Sequence, residues 1–250
     1  LSLAQRLLSV PLTLGAGAGL STLAVASPWL SFASSFVVVG AGATLLGHRL
    51  IRWTPREAAG FAMIGGLWAV SFAICYKATH AMLSPYTTMY IFWDFAFLPF
   101  PPTDIEGVWK LSGILLDVFV NPLNMVAPWF PAVGVLVPLA CFTIGLASLA
   151  KRKPELFFLF ALPIVLAMIA SGLRKFPFHG RLILELVPLF FLFIAEGTEW
   201  VREATRSKPW IHQAALVFLL WYPLASGVID GLNRSPREFD PHGDLRHNLF

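Results

Sequence analysis

Charge is what this chain has least of. Asp, Glu, Lys and Arg make up 13% of its 250 residues, about half of what a soluble domain carries, so a solvated globule is excluded. With 57% hydrophobic residues and a mean hydropathy of +0.71, the chain belongs in a membrane. Cysteine is almost missing too. Cys75 and Cys141 both sit inside apolar runs, which excludes a disulfide framework and predicts two free, buried thiols. No Gly-rich phosphate loop follows a strand pattern, no internal repeat occurs, and no His, Cys, Asp or Glu spacing suits a metal, so no cofactor is expected and no divalent metal is indicated. The formal charge of +4 and pI near 9.3 would point to nucleic acid in a soluble protein. Here the basic residues fall in short gaps between apolar runs, where membrane orientation accounts for them, and nucleic acid is not an expected partner.

What is present is apolar sequence in lengths that cross a bilayer. A hydrocarbon core of about 30 Å needs roughly 20 apolar residues at 1.5 Å each. Segments 7–26, 28–47, 57–77, 128–150, 155–172, 181–198 and 211–229 meet that requirement, so an all-α polytopic membrane protein of about seven spans is expected. The regions are then three N-terminal spans in 1–77, a loop at 78–127, four spans in 128–229 and a polar tail at 230–250. The first two segments are rich in Gly, Ala and Ser, which lets membrane helices approach closely. Leu1 begins the chain without a Met and without a signal cleavage pattern, so it reads as part of a longer protein.

Lys and Arg set the orientation. Arg49, Arg52 and Arg56 occupy one gap, Lys151, Arg152 and Lys153 a second, and Arg202, Arg206 and Lys208 a third. These alternate gaps are expected in the cytoplasm. The gap at 27 has no charge, and the loop 78–127 holds Lys110 alone, so both are expected outside. In that loop, Glu106, Lys110, Gly113 and Asp117 form one polar stripe over 105–120, predicting an amphipathic interfacial helix capped by Thr103 or Asp104 and ended by Asn121-Pro122. Ser84 and Pro85 predict the start of an aromatic helix over 84–97, completing an outer hairpin with LPFPPTD as its corner.

One outward gap breaks the rule. GLRKFPFHGRLILELVP gathers Arg174, Lys175, His179 and Arg181 within eight positions, where topology calls for few cations. Pro177 blocks helix before it, so the next helix is expected to begin near Gly180 or Arg181 with free N–H groups facing outward. Cations there invite an anion, and phosphate accepts both point charges and guanidinium forks. At a membrane surface such a phosphate belongs to a lipid, either ordinary headgroups or one specific molecule. Glu185, four residues after Arg181, is expected to pair with it. Among the outer-loop acids, Asp104 reads as a cap and Glu106 and Asp117 as a solvated stripe. Asp94, between Trp93 and Phe95, is the remaining weak candidate for a general base.

Trp93, Ala96, Phe97, Pro99, Pro101 and Pro102 spell W-x-x-A-F-x-P-x-P-P, and FPFHGRLILELVP runs from Phe176 to Pro188. With these motifs the chain resembles the C-terminal membrane half of bacterial GT-C type glycosyltransferases, the family 39 group related to protein O-mannosyltransferases and lipid A aminoarabinose transferases. The resemblance implies an inverting transferase in the bacterial cytoplasmic membrane that takes a sugar from a polyprenyl-phosphate donor for an extracytoplasmic acceptor. Arg174, Lys175, His179 and Arg181 would then hold the donor phosphate, Glu185 would support them, and Tyr90, Trp93 and Phe97 would roof the substrate. The family's catalytic acid lies in its first outer loop, whereas VASPW has no Asp or Glu. The catalytic residue is therefore unknown here: either a preceding half or partner subunit carries it, or the activity is absent. The alternatives are a transporter or flippase for an anionic lipid, and a non-catalytic membrane scaffold subunit.

Overall fold

A computed structural model describes residues 14–49, 55–83, 91–126 and 131–233. The helices are α1 (Leu14–Leu30), α2 (Ser34–Arg49), α3 (Pro55–Leu83), α4 (Ile105–Val120), α5 (Pro131–Arg152), α6 (Pro154–Gly172), α7 (Val187–Ala204) and α8 (Pro209–Asn233). Short 3-10 segments lie at Asp94–Ala96 and Gly180–Leu186, and no strand occurs among the described residues. The chain is thus an all-helical protein. Four helical stretches are long and apolar enough to cross a membrane: Ala58–Thr79, Gly134–Arg152, Pro154–Gly172 and Pro209–Ile229. The apolar part of α2, Ser34–His48, is shorter, and α7 carries Glu196, Glu199, Arg202 and Glu203, so neither meets the same criterion. Part of the first expected segment, and the Ser84-Pro85 helix start, lie outside the described residues.

The expected break at residue 27 is instead a turn at 31–33, because α1 continues through Pro28. Proline has no N–H for the carbonyl four residues back. Here the Ser27 hydroxyl donates to that Ala24 carbonyl at 3.1 Å. Ser71 on α3 donates to the Val25 carbonyl at 2.7 Å and accepts from the Trp29 indole at 3.0 Å. Hydroxyls thus meet the backbone groups that a proline frees, as membrane helices require. Cys75 adds a contact to the Pro28 carbonyl at 3.3 Å. Both cysteines are free and buried, as the sequence indicates.

The tightest packing is between α5 and α7. A methyl at Gly145 would stand 1.8 Å from the Phe193 carbonyl oxygen, and one at Gly197 would stand 1.8 Å from that of Cys141. The backbones touch, so dispersion accrues along the whole crossing. Around it Leu189, Phe190, Phe193 and Ile194 of α7 are buried, with Phe193 meeting the rings of Phe142, Phe157 and Phe160. Of the N-terminal glycines, Gly40 is used this way, pressed on Pro163 of α6, whereas Gly19 and Gly42 face open space.

The gaps between helices collect at two ends. Arg152 at the end of α5 pairs with Glu203 of α7 at 2.7 Å, joining the gaps at 151–154 and 199–210. At the opposite end the loop 91–126 lies on the turn that follows α6. Its amphipathic helix α4 spans the residues expected of it, and the Asp104 carboxylate accepts from the Gly107 N–H at 2.7 Å as its cap. Val118 and Phe119 are buried and Leu111, Ile114 and Leu115 pack on the core, while Ile105, Val108 and Trp109 stay exposed. The aromatic helix expected to reach residue 97 gives way at Trp93, where a turn leads into the 3-10 segment.

Candidate functional site

The turn after α6 is built by its hydrogen bonds. Leu173 closes the helix, the Arg174 N–H donates to the Ser171 carbonyl at 2.8 Å and the Lys175 N–H to that of Ala170 at 2.9 Å. This is a Schellman cap, whose pivot must be left-handed and is usually glycine. Arg174 is that pivot, at φ 56°. A side chain there costs about 1 kcal/mol. Next, Phe176 meets Phe36 of α2 edge-on, with ring centres 5.2 Å apart. Phe178 is buried and donates its N–H to the Ala96 carbonyl at 2.9 Å. Ser171, fully buried, accepts from the Leu98 N–H at 3.0 Å. Turn and loop are therefore one unit.

That unit brings most of the expected site together. The Arg174 guanidinium is paired with the Asp94 carboxylate and lies 5.2 Å from the centre of the Phe97 ring, a cation–π distance. Phe97 is only 4% exposed, so it is a floor beneath Arg174 and not the roof the sequence suggests. The His179 Nδ1 is 3.1 Å from an Asp117 carboxylate oxygen. Its ring meets Phe95 edge-on at 5.0 Å and lies 6.4 Å from Trp93. Trp93, half-buried, thus walls the histidine, while Tyr90 lies outside the described residues. Gly180 follows at φ +50°, where a methyl would come within 3.3 Å of the Asn121 amide nitrogen. Glycine is favoured there by conformation, and a side chain would also press on the Asn121 amide.

Two expectations are corrected. The helix expected from Gly180 or Arg181 is a 3-10 segment up to Leu186, and α7 starts at Val187 with Pro188 in its first turn. In an unbroken α-helix the Pro188 ring would strike the carbonyl of Leu184. The segment buries Gly180, Ile183 and Leu186 and is kinked at Ile183, at φ −107° and ψ 17°. Arg181 and Glu185 lie on either side of that kink and make no ion pair with each other. Lys175 and Arg181 are exposed and have no ion-pair partner among the described residues.

Three further residues belong to the picture. Asp117, expected in a solvated stripe, holds His179; within that stripe nothing in the sequence set it apart from Glu106. Lys110 reaches the Asp94 carbonyl at 3.4 Å, a tertiary contact with no sequence signature. Glu196 is half-buried in α7 and accepts from Ser148 at 2.7 Å, so Glu185 is not the sole acid among the core helices. At the far end, Arg152 and Arg202 hold the Glu203 and Glu199 carboxyls below their ordinary range, by donated hydrogen bonds first and by charge second.

Chemically, the site is a shelf of aromatic rings bearing the Arg174–Asp94 ion pair and the His179–Asp117 contact, with further cations beside it. Guanidinium and ammonium groups of this kind bind phosphate or carboxylate, and Asp94 offers a proton acceptor among them. No cluster of His, Cys, Asp or Glu that could hold a metal ion occurs among the described residues. Compared with family models, with curated proteins and with solved structures, the chain matches none.

Proposed function

We propose that this chain is the donor-binding part of a membrane glycosyltransferase that uses a polyprenyl-phosphate-linked sugar, with the turn at 173–181 on the extracytoplasmic side. The observation that carries the reading is Arg174. A glycine would close the helix there without strain, yet the position holds an arginine set on the Phe97 ring and facing Asp94. Strained backbone kept at a charged position is a mark of function.

In this reading Asp94 occupies Arg174 until the donor arrives. The donor's phosphodiester carries one negative charge, as a carboxylate does, and its two free oxygens accept the guanidinium fork; with Lys175 and Arg181 adding to the attraction, it displaces Asp94. Lys175 and Arg181, which have no acidic partner among the described residues, add to the field. During transfer the acceptor oxygen bonds to the anomeric carbon, the bond from that carbon to the phosphate oxygen breaks, and the polyprenyl phosphate departs onto these cations. Stabilising that leaving group is an electrostatic contribution of the kind that dominates many enzymes. The acceptor's proton needs a base, for which Asp94 is the nearest candidate in this chain.

Binding of farnesyl phosphate and farnesyl-phosphate-mannose to the purified protein tests the proposal. Both should bind, and Arg174→Gln and Arg181→Gln should each weaken them by about tenfold, as loss of a charge-assisted contact predicts. Unchanged affinity in both variants overturns it.

A further inference from the structure

The opposite end of the bundle holds a cleft that the donor site does not use. Between the last two turns of α2 and the first three turns of α6, Thr44, His48, Pro154, Glu155, Phe158 and Leu162 line a space of about 410 Å³. Its polarity is graded. Glu155 and His48 sit where α6 begins and α2 ends, and Lys153, just before Pro154, is exposed. Leu162 lies seven residues further along α6, about 10 Å deeper, within an apolar span. The Thr44 hydroxyl donates to its own helix at the Gly40 carbonyl. His48 and Glu155 make no ion pair with another described residue. Arg152 is turned away to Glu203.

A ligand that fits must offer a hydrogen-bonding cation to Glu155, an anion to His48 and Lys153, and an alkyl chain to Phe158 and Leu162. One class of membrane molecule carries all three within this span: a phospholipid whose headgroup ends in a primary ammonium. We propose that the cleft binds such a lipid, the ammonium donating to the Glu155 carboxylate and an acyl chain lying along Phe158. Glu155 in a first turn also suits the helix dipole, which accounts for that residue and not for the cleft it lines. The proposal does not rest on the donor-lipid reading.

The test reconstitutes the full chain in vesicles with equal phosphatidylethanolamine and phosphatidylcholine of matched acyl chains, extracts it in mild detergent and identifies retained lipid by native mass spectrometry. Choline has no N–H, so the comparison isolates the hydrogen bond to Glu155. Phosphatidylethanolamine should be enriched on the order of fivefold, as one charge-assisted bond in a half-exposed cleft allows. Glu155→Gln should remove the enrichment, and Phe158→Trp, which fills the cleft without touching its charges, should reduce retention of both lipids. Equal retention of the two lipids by the unaltered chain, enrichment that survives Glu155→Gln, or lipid exclusion with dimerisation of the chain each overturns the proposal. If Glu155→Gln fails to fold, Phe158→Trp decides: undiminished enriched retention in that variant sinks it.

Discussion

Arg174 separates folding from binding in a way that few residues allow. Its backbone conformation is the one glycine adopts freely, so Arg174→Gly should preserve the cap and leave the melting temperature unchanged or slightly raised, since relief of about 1 kcal/mol of strain offsets the lost exposed ion pair. The same variant should lose farnesyl phosphate binding by about tenfold. A large fall in melting temperature would show that the side chain serves the fold instead. Asp94→Asn gives the complementary result. With its competitor neutralised, Arg174 should bind the phosphate several-fold more tightly, roughly threefold to tenfold, which equilibrium titration reads directly. Weaker binding in that variant would mean that Asp94 positions Arg174 and does not compete with the ligand.

At the scale of elements, the crossing of α5 and α7 is the least tolerant of a side chain among the described glycine contacts. Gly197→Ala or Gly145→Ala places a methyl inside a facing carbonyl, and the helices must separate, at a cost of about 1–3 kcal/mol or more. Gly42→Ala, into open space, should be neutral or stabilising by about 0.5–1 kcal/mol. Thermal unfolding in detergent compares them. The charged end of the same helices responds to pH. Glu203 and Glu199 have lowered carboxyl pKa values in the folded chain, so the stability they contribute is present above the ordinary value of 4.5 and is lost as pH falls through the lowered ones. The melting temperature should therefore drop between neutral pH and about pH 3, and less so in Glu203→Gln. An equal drop in both would remove the pair from the account. These elements were unevenly legible. Helix α4 was readable to the residue because its polar stripe, Asp104 cap and Asn121-Pro122 stop all agree. The start of α7 was misplaced, and Pro188 was no clear signal of it, because α1, α5, α6 and α8 each carry a proline inside the helix. The turn at 31–33 was hidden by Pro28, whose breaking effect is cancelled by Ser27 and by Ser71, a residue over forty positions away that no local pattern connects to it. The Arg174–Asp94 contact was out of reach for the same reason: eighty residues separate the partners.

For the whole molecule, the proposed function requires the two ends of the bundle to face opposite sides of the membrane. The turn at 173–181 gathers with the loop 91–126, and the basic gaps at 151–154 and 199–210 gather at the other end. With Cys75 and Cys141 replaced, a single cysteine at Lys175 should react with an impermeant thiol reagent added to intact cells, and one at Lys208 only after the cells are broken. Reactivity of Lys175→Cys from the cytosolic side would defeat the donor-site reading even if phosphate bound there. The reciprocal glycine contact between α5 and α7 also limits how the molecule can work. Two helices whose main chains abut have no clearance to slide past each other, so the pair behaves as a keel. A passenger lipid moving through the bundle would have to travel around that keel and not along it.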